Sequence, residues 1–117
     1  MSLVARHLEE NGIPTLIIGS ALDIVEHCGV ARYLFVDFPL GNPCGKPWDK
    51  AMQSRIMAHA LDFFARAERP TTEHSPETWG SDEWRVRYME VSDANREALA
   101  LKGEELRAQR ATREPRA

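Results

Sequence analysis

The chain has 117 residues, a net charge of -3 and 43% hydrophobic residues. That is the length of one domain and the apolar content of an ordinary globular protein, which excludes disorder throughout. The acidic balance supplies no basic patch for nucleic acid, and no window approaches the ~18 apolar residues of a membrane span.

The N-terminus, MSLVARHLEENG, carries acidic residues within its first turns and does not read as a signal peptide. Together with two cysteines, this predicts a cytoplasmic protein with free thiols.

Ser2 is placed to cap a first helix over residues 2–11, with Leu3, Val4 and Leu8 as its apolar stripe. Asn11-Gly12 ends it. The run Ile13-Pro14-Thr15-Leu16-Ile17-Ile18 is continuous, apolar and rich in β-branched residues, the pattern of a strand over 13–18 covered on both faces. Ser20 and Asp23 have the spacing of a capping box for a helix over 20–28, with Leu22, Val25 and Cys28 on one side and Gly29 as its stop. A second strand is predicted over 32–37. The β-α-β order implies a parallel pair with a right-handed crossover.

Residues 37–47 form a loop with three prolines, two glycines, Asp37, Asn42 and Cys44. Pro47 suits the first turn of a helix over 48–67. In that helix Met52, Ile56, Ala60, Phe63 and Phe64 recur on one face, and Arg55, His59, Asp62 and Arg66 form the other. Residues 68–80 have two prolines and no apolar periodicity, and read as an extended linker.

Ser81-Asp82 can cap a helical C-terminal arm over 81–117, broken in the middle. Trp84, Tyr88 and Val91 are spaced for its first part, and Leu99, Leu101 and Leu106 make a thin stripe in its second. The end, from residue 112, is expected to fray.

The expected fold is therefore α/β: a small parallel sheet flanked by helices over residues 1–67, the linker, then the arm. Two parallel strands do not make a stable sheet alone, so another chain is expected to cover their edges. The chain should be a homodimer or higher oligomer, with residues 79–106 packed on a second chain through Trp84, Tyr88 and Leu99.

Ligands of open α/β sheets bind beyond the carboxyl ends of the strands. Ser20 and Asp37 end adjacent strands there, and Gly41, Asn42 and Cys44 follow in the loop, so these five are the candidate ligand-binding residues. Cys44 is also the weak candidate for catalysis, because a neighbouring cation such as Lys46 favours a thiolate.

No Gly-rich phosphate fingerprint follows either strand, so no dinucleotide cofactor is indicated. The spacing of His27, Cys28, Cys44, His59 and His74 matches no zinc pattern, so no metal is expected. His59 and His74 read as solvated, and Trp48, Trp79 and Trp84 as edge or interface residues.

The stretches Glu10-Asn11-Gly12-Ile13-Pro14-Thr15, Cys28-Gly29-Val30-Ala31-Arg32 and Phe38-Pro39-Leu40-Gly41-Asn42-Pro43 occur in an ordered series. Over residues 6–67, with the pair Ala60-Leu61 in the following helix, the chain resembles the C-terminal segment of the B subunits of glycine, sarcosine and betaine reductases. Phe38 stands where that family's loop has histidine.

The resemblance implies a reductase-related protein handling amino-acid-like substrates. It also implies that the family's redox cysteine or selenocysteine is supplied by a second reductase subunit, since neither Cys28 nor Cys44 corresponds to it. Two readings result: a subunit active only in a reductase complex, or a non-catalytic homo-oligomer that binds a small ligand or simply assembles.

Overall fold

The structure, a computed structural model, describes residues 1–87 and 90–112. The fold is α/β. It runs α1 (Ser2–Glu10), β1 (Ile17–Gly19), α2 (Leu22–Cys28), β2 (Arg32–Phe35), α3 (Lys50–Arg66), β3 (Thr71–His74), α4 (Glu83–Arg87) and α5 (Arg96–Thr112). The chain divides into two compact units, Met1–Arg85 and Val86–Ala117.

The first unit holds a three-stranded parallel sheet in the order β1-β2-β3. Tyr33 lies opposite Ile17 and Thr72, and Phe35 opposite Gly19 and His74. The third strand is the main departure from the sequence reading. It comes from the segment expected to be a linker, and it gives β2 a second neighbour from the chain itself.

The sequence Thr-Thr-Glu-His carries no apolar alternation because β3 is fastened by polar groups instead. Glu73 accepts from Arg66 of α3 (2.6 Å) and pairs with His59 of α3 (2.9 Å). These partners hold the Glu73 carboxyl below its ordinary range, the Arg66 bond contributing most.

The core lies between the sheet and α3. Leu34, Val36 and Phe38 from the β2 region meet Met52, Ile56, Ala60 and Phe63, all buried. Leu16, Ile18, Ala67 and Trp79 close its margin. Phe64, expected on the inner face, is exposed and lies beneath the Arg32 guanidinium, 5.4 Å from its ring centre.

Other expectations change in detail. Strand pairing begins at Ile17 rather than 13, because residues 13–16 form an irregular lead-in tied to α1. There Glu9 Oε1 accepts from the Thr15 backbone N–H (2.6 Å), the Thr15 hydroxyl (2.9 Å) and Arg32 (2.8 Å). On α1, Ala5 is the buried residue, whereas Leu3 and Val4 face solvent.

Neither serine caps as expected. Ser2 is already inside α1, and Ala21 occupies the cap of α2 without a side-chain bond. Pro47 precedes α3, which Asp49 caps by accepting from the Met52 N–H (2.9 Å). Gly29 ends α2 in the left-handed conformation, as expected, with φ 68°.

In the second unit, Asn95 Oδ1 accepts from the Ser92 N–H (2.7 Å) just before α5. Leu99, Leu101 and Leu106 of α5 are exposed. Tyr88 and the expected frayed end beyond residue 112 lie outside the described residues.

Candidate ligand site at the carboxyl ends of the strands

The register brings the three strands to an end together, so Ser20, Asp37 and Ser75 follow them at one end of the sheet. The ladder continues briefly. Val36 N–H donates to Gly19 (2.8 Å) and Ser75 N–H to Phe35 (2.8 Å). Phe38 N–H then folds back onto Val36 (2.8 Å), which buries Val36 and Phe38 and leaves Asp37 exposed between them.

Beyond β3, residues 75–85 run past this end of the sheet as a strap held at three points. Arg55 makes a two-pronged bond to Glu77 (2.7 and 2.9 Å), which holds the Glu77 carboxyl below its ordinary range. The Trp79 ring meets Phe38 edge-on at 5.2 Å, and Lys46 Nζ lies 5.4 Å from the Trp79 ring centre. Arg85 pairs with Asp37 and with Asp82 (3.0 Å), and its guanidinium lies 4.5 Å from the Trp84 ring centre.

Between strap and sheet is a cavity of about 320 Å³ lined by Asp37, Glu77, Trp79, Asp82, Trp84 and Arg85, among others. That volume suits a small molecule. Three carboxylates, one guanidinium and two indoles line it, and the charges are paired among themselves: Arg85 with Asp37 and Asp82, Glu77 with Arg55, so a charged ligand has to compete with these pairs. Asp37 and Asp82 raise the Arg85 pKa, so the guanidinium is a fixed cation.

Of the five residues singled out in the sequence, Asp37 lines this cavity and the other four do not. Ser20 Oγ is buried and makes no hydrogen bond. Gly41 is exposed. Asn42 belongs to a run of turns, its N–H donating to Pro39 (3.0 Å) and its carbonyl accepting from Gly45 (3.2 Å).

Cys44 is an exposed free thiol, and Cys28 is a half-buried one. Trp48 projects into solvent with a left-handed backbone, φ 67°. His59 is bonded to Glu73 rather than solvated. Among the described residues, no group of three or more His, Cys, Asp or Glu side chains is arranged to hold a metal ion. No described helix is long and apolar enough to cross a membrane.

Glu77, Trp79, Trp84 and Arg85 were missed as site residues because a segment without periodicity reads as a linker. The available signal was local: Trp79, Gly80 and the cap residues Ser81-Asp82 in succession, then Trp84-Arg85 within the next turn.

The chain is similar to a reductase subunit. It is 36% identical over 59 residues to the D-proline reductase subunit gamma of Acetoanaerobium sticklandii. The match covers 50% of this chain but 24% of that protein, so the chain spans about a quarter of its relative. The relative is thus a D-proline reductase subunit, and not a glycine, sarcosine or betaine reductase B subunit. No family model matches the chain. No solved structure matches it.

Proposed function

We propose that this chain is a subunit of an amino-acid reductase complex, active with a partner chain that carries the redox cysteine or selenocysteine. The observation that supports it is the similarity to a D-proline reductase subunit over half of the chain. Which amino acid is reduced, whether D-proline or a glycine-type substrate, is left to the partner and to the site. In this reading a small zwitterion enters the cavity between its indole walls and exchanges the Asp37–Arg85 pair for its own ammonium and carboxylate.

The chain offers no C-x-x-C pair. In this reading its role is to bind or present, and electron transfer belongs to the partner. The loop Pro39-Leu40-Gly41-Asn42-Pro43 is, in this reading, the substrate-side or subunit-side surface.

The test is purification of the tagged full chain from its native host under reducing, anaerobic conditions, with mass spectrometry of what co-elutes. Stoichiometric recovery of a redox-active reductase chain, and amino-acid reduction by the pair but by neither alone, is the expected result. Recovery of the chain by itself, with no activity gained on adding the reductase chain, overturns the proposal.

The alternative is a non-catalytic, homo-oligomeric small-ligand protein, and the cavity favours it independently of any partner. Calorimetric titration of the isolated chain with small amino acids checks it, since Asp37→Ala and Arg85→Ala should each abolish binding.

A further inference from the structure

The two flanks of α3 differ in what the rest of the chain does with them. Toward β3 and the strap, Arg55, His59 and Arg66 are tied to Glu77 and Glu73. On the opposite flank Met57, Leu61 and Phe64 recur at i, i+4 and i+7 and are 46%, 63% and 38% exposed.

Phe64 locates that flank. It lies beneath Arg32, which also bonds Glu9 and the Thr15 carbonyl (3.2 Å) just ahead of β1. The apolar flank is therefore the one beside β1.

β1 is an edge of the sheet, paired among the described residues with β2 alone. Its residues Ile17 and Ile18 are only half-buried, and Ile13 ahead of it is exposed. The β3 edge is blunted by a charged, well-bonded glutamate and flanked by Pro70. The β1 edge has no charged residue, proline or bulge between residues 15 and 19, Pro14 lying three residues ahead of the paired strand.

We propose that the β1 edge and the Met57–Leu61–Phe64 flank together form a self-association surface, occupied by a second copy of this chain about a two-fold axis. The two β1 strands pair antiparallel, giving one continuous sheet, and the two α3 helices pack side by side through Leu61. The inference goes beyond membership of a reductase complex and does not depend on it.

The occupant is argued from charge and direction. On α3 itself the flank from Gln53 round to Ala58 and Ala65 carries a single charge, Lys50, and the Arg32 guanidinium over Phe64 is paired with Glu9, so the surface can face itself without strong like-charge repulsion. As the crossover between parallel strands, α3 runs against them, so antiparallel β1 strands bring the two α3 helices together antiparallel as well. With the two helices meeting at Leu61, the Lys50 side chains of the two copies lie at opposite ends of the pair, too far apart to repel each other. Isologous pairing of one patch with itself is the commonest route to a dimer.

The experiment is analytical ultracentrifugation of the full chain across the micromolar range, with amide hydrogen exchange on the same samples. A dimer is expected, with exchange at Ile17–Gly19 slowing as concentration rises. Met57→Glu and Leu61→Glu should each weaken dimerisation by roughly 10- to 30-fold, the effect of a charge at an interface centre. Leu99→Glu, on α5, should leave it unchanged.

A monomer throughout the range overturns the proposal. So does a dimer indifferent to both α3 charges, or one that only Leu99→Glu dissolves. Should either α3 variant lose its circular-dichroism melt, the concentration dependence of exchange in the unaltered chain decides alone.

Discussion

The β3 side and the β1 side of the first unit solve the same edge problem with different chemistry. On the β3 side a short polar strand is held by charged groups reaching down from α3, and the strap that follows it is held by Arg55. On the β1 side the strand is apolar, the neighbouring helix flank is apolar, and both are incompletely covered. The comparison teaches that polar fastening can complete a sheet where apolar periodicity is absent, while the apolar side keeps part of its surface exposed.

The row between the two flanks anchors both sides. Phe63→Ala removes a fully buried ring and should cost about 3–5 kcal/mol in urea denaturation. A loss below 1 kcal/mol on the same scale would mean that the flanks, not the inner row, hold α3 to the sheet.

On the β1 side, packing against Tyr33 is tight. A methyl group on Gly19 would meet the Tyr33 ring at 3.1 Å, so Gly19→Ala should cost about 1–3 kcal/mol through overpacking. An unchanged denaturation midpoint would show that the Tyr33 ring gives way freely, and that the face of β1 is packed as loosely as its edge.

On the β3 side, Glu73→Ala frees His59 and Arg66 together. Because the pair is partly exposed, the expected cost is about 1–2 kcal/mol. Exchange at Thr71–His74 should rise with it. Leu61→Ala on the opposite flank should cost under about 0.5 kcal/mol in a dilute monomer. Equal costs for the two would erase the distinction.

The fastenings also differ in their response to pH. Hydrogen bonds hold the carboxyls of Glu9, Glu73 and Glu77 below the ordinary 4.5, the largest contributions coming from Thr15, Arg66 and Arg55 respectively. A depressed carboxylate lends stability that is present above its unfolded pKa and lost as pH falls through the folded value. Denaturation midpoints should therefore drop as the pH is lowered below 4.5. In Glu73→Gln that drop should be shallower, and an unaltered slope would remove Glu73 from the acid response.

A small effect, and one of opposite sign, belongs to Tyr33. Its buried hydroxyl lies near the Ala21 backbone without a hydrogen bond of normal geometry. Tyr33→Phe should be neutral or raise stability by about 1 kcal/mol. Burial pushes the Tyr33 pKa from 10 up to about 12, so the stability tied to its proton is present below pH 10 and lost by about 12. The alkaline limb should flatten in Tyr33→Phe, and a marked loss of stability at neutral pH would instead reveal a working hydrogen bond.

Much of the site's setting was legible early. Apolar runs at 13–18 and 32–37, a helix between them and a loop after the second set the carboxyl-end crevice and put Asp37 in it. The partners of Asp37 were not legible. Arg85 is 48 positions away in sequence, and the segment bringing it there carries its information in polar side chains. Periodicity reports only on surfaces that bury apolar groups, so the Thr71–His74 strand and its Glu73 fastening leave no such trace.

By itself, then, the sequence determined the α/β class, the parallel pair of strands, the inner row of α3 apart from Phe64, and the chain breaks at Gly12 and Gly29. Local apolar spacing and backbone preference act within a few residues. Tertiary structure alone decided that Thr71–His74 completes the sheet and that the strap closes over Asp37. Those outcomes rest on charged and aromatic pairs between distant positions, such as Arg55 with Glu77 and Phe38 with Trp79, which exist only once the chain has folded back on itself.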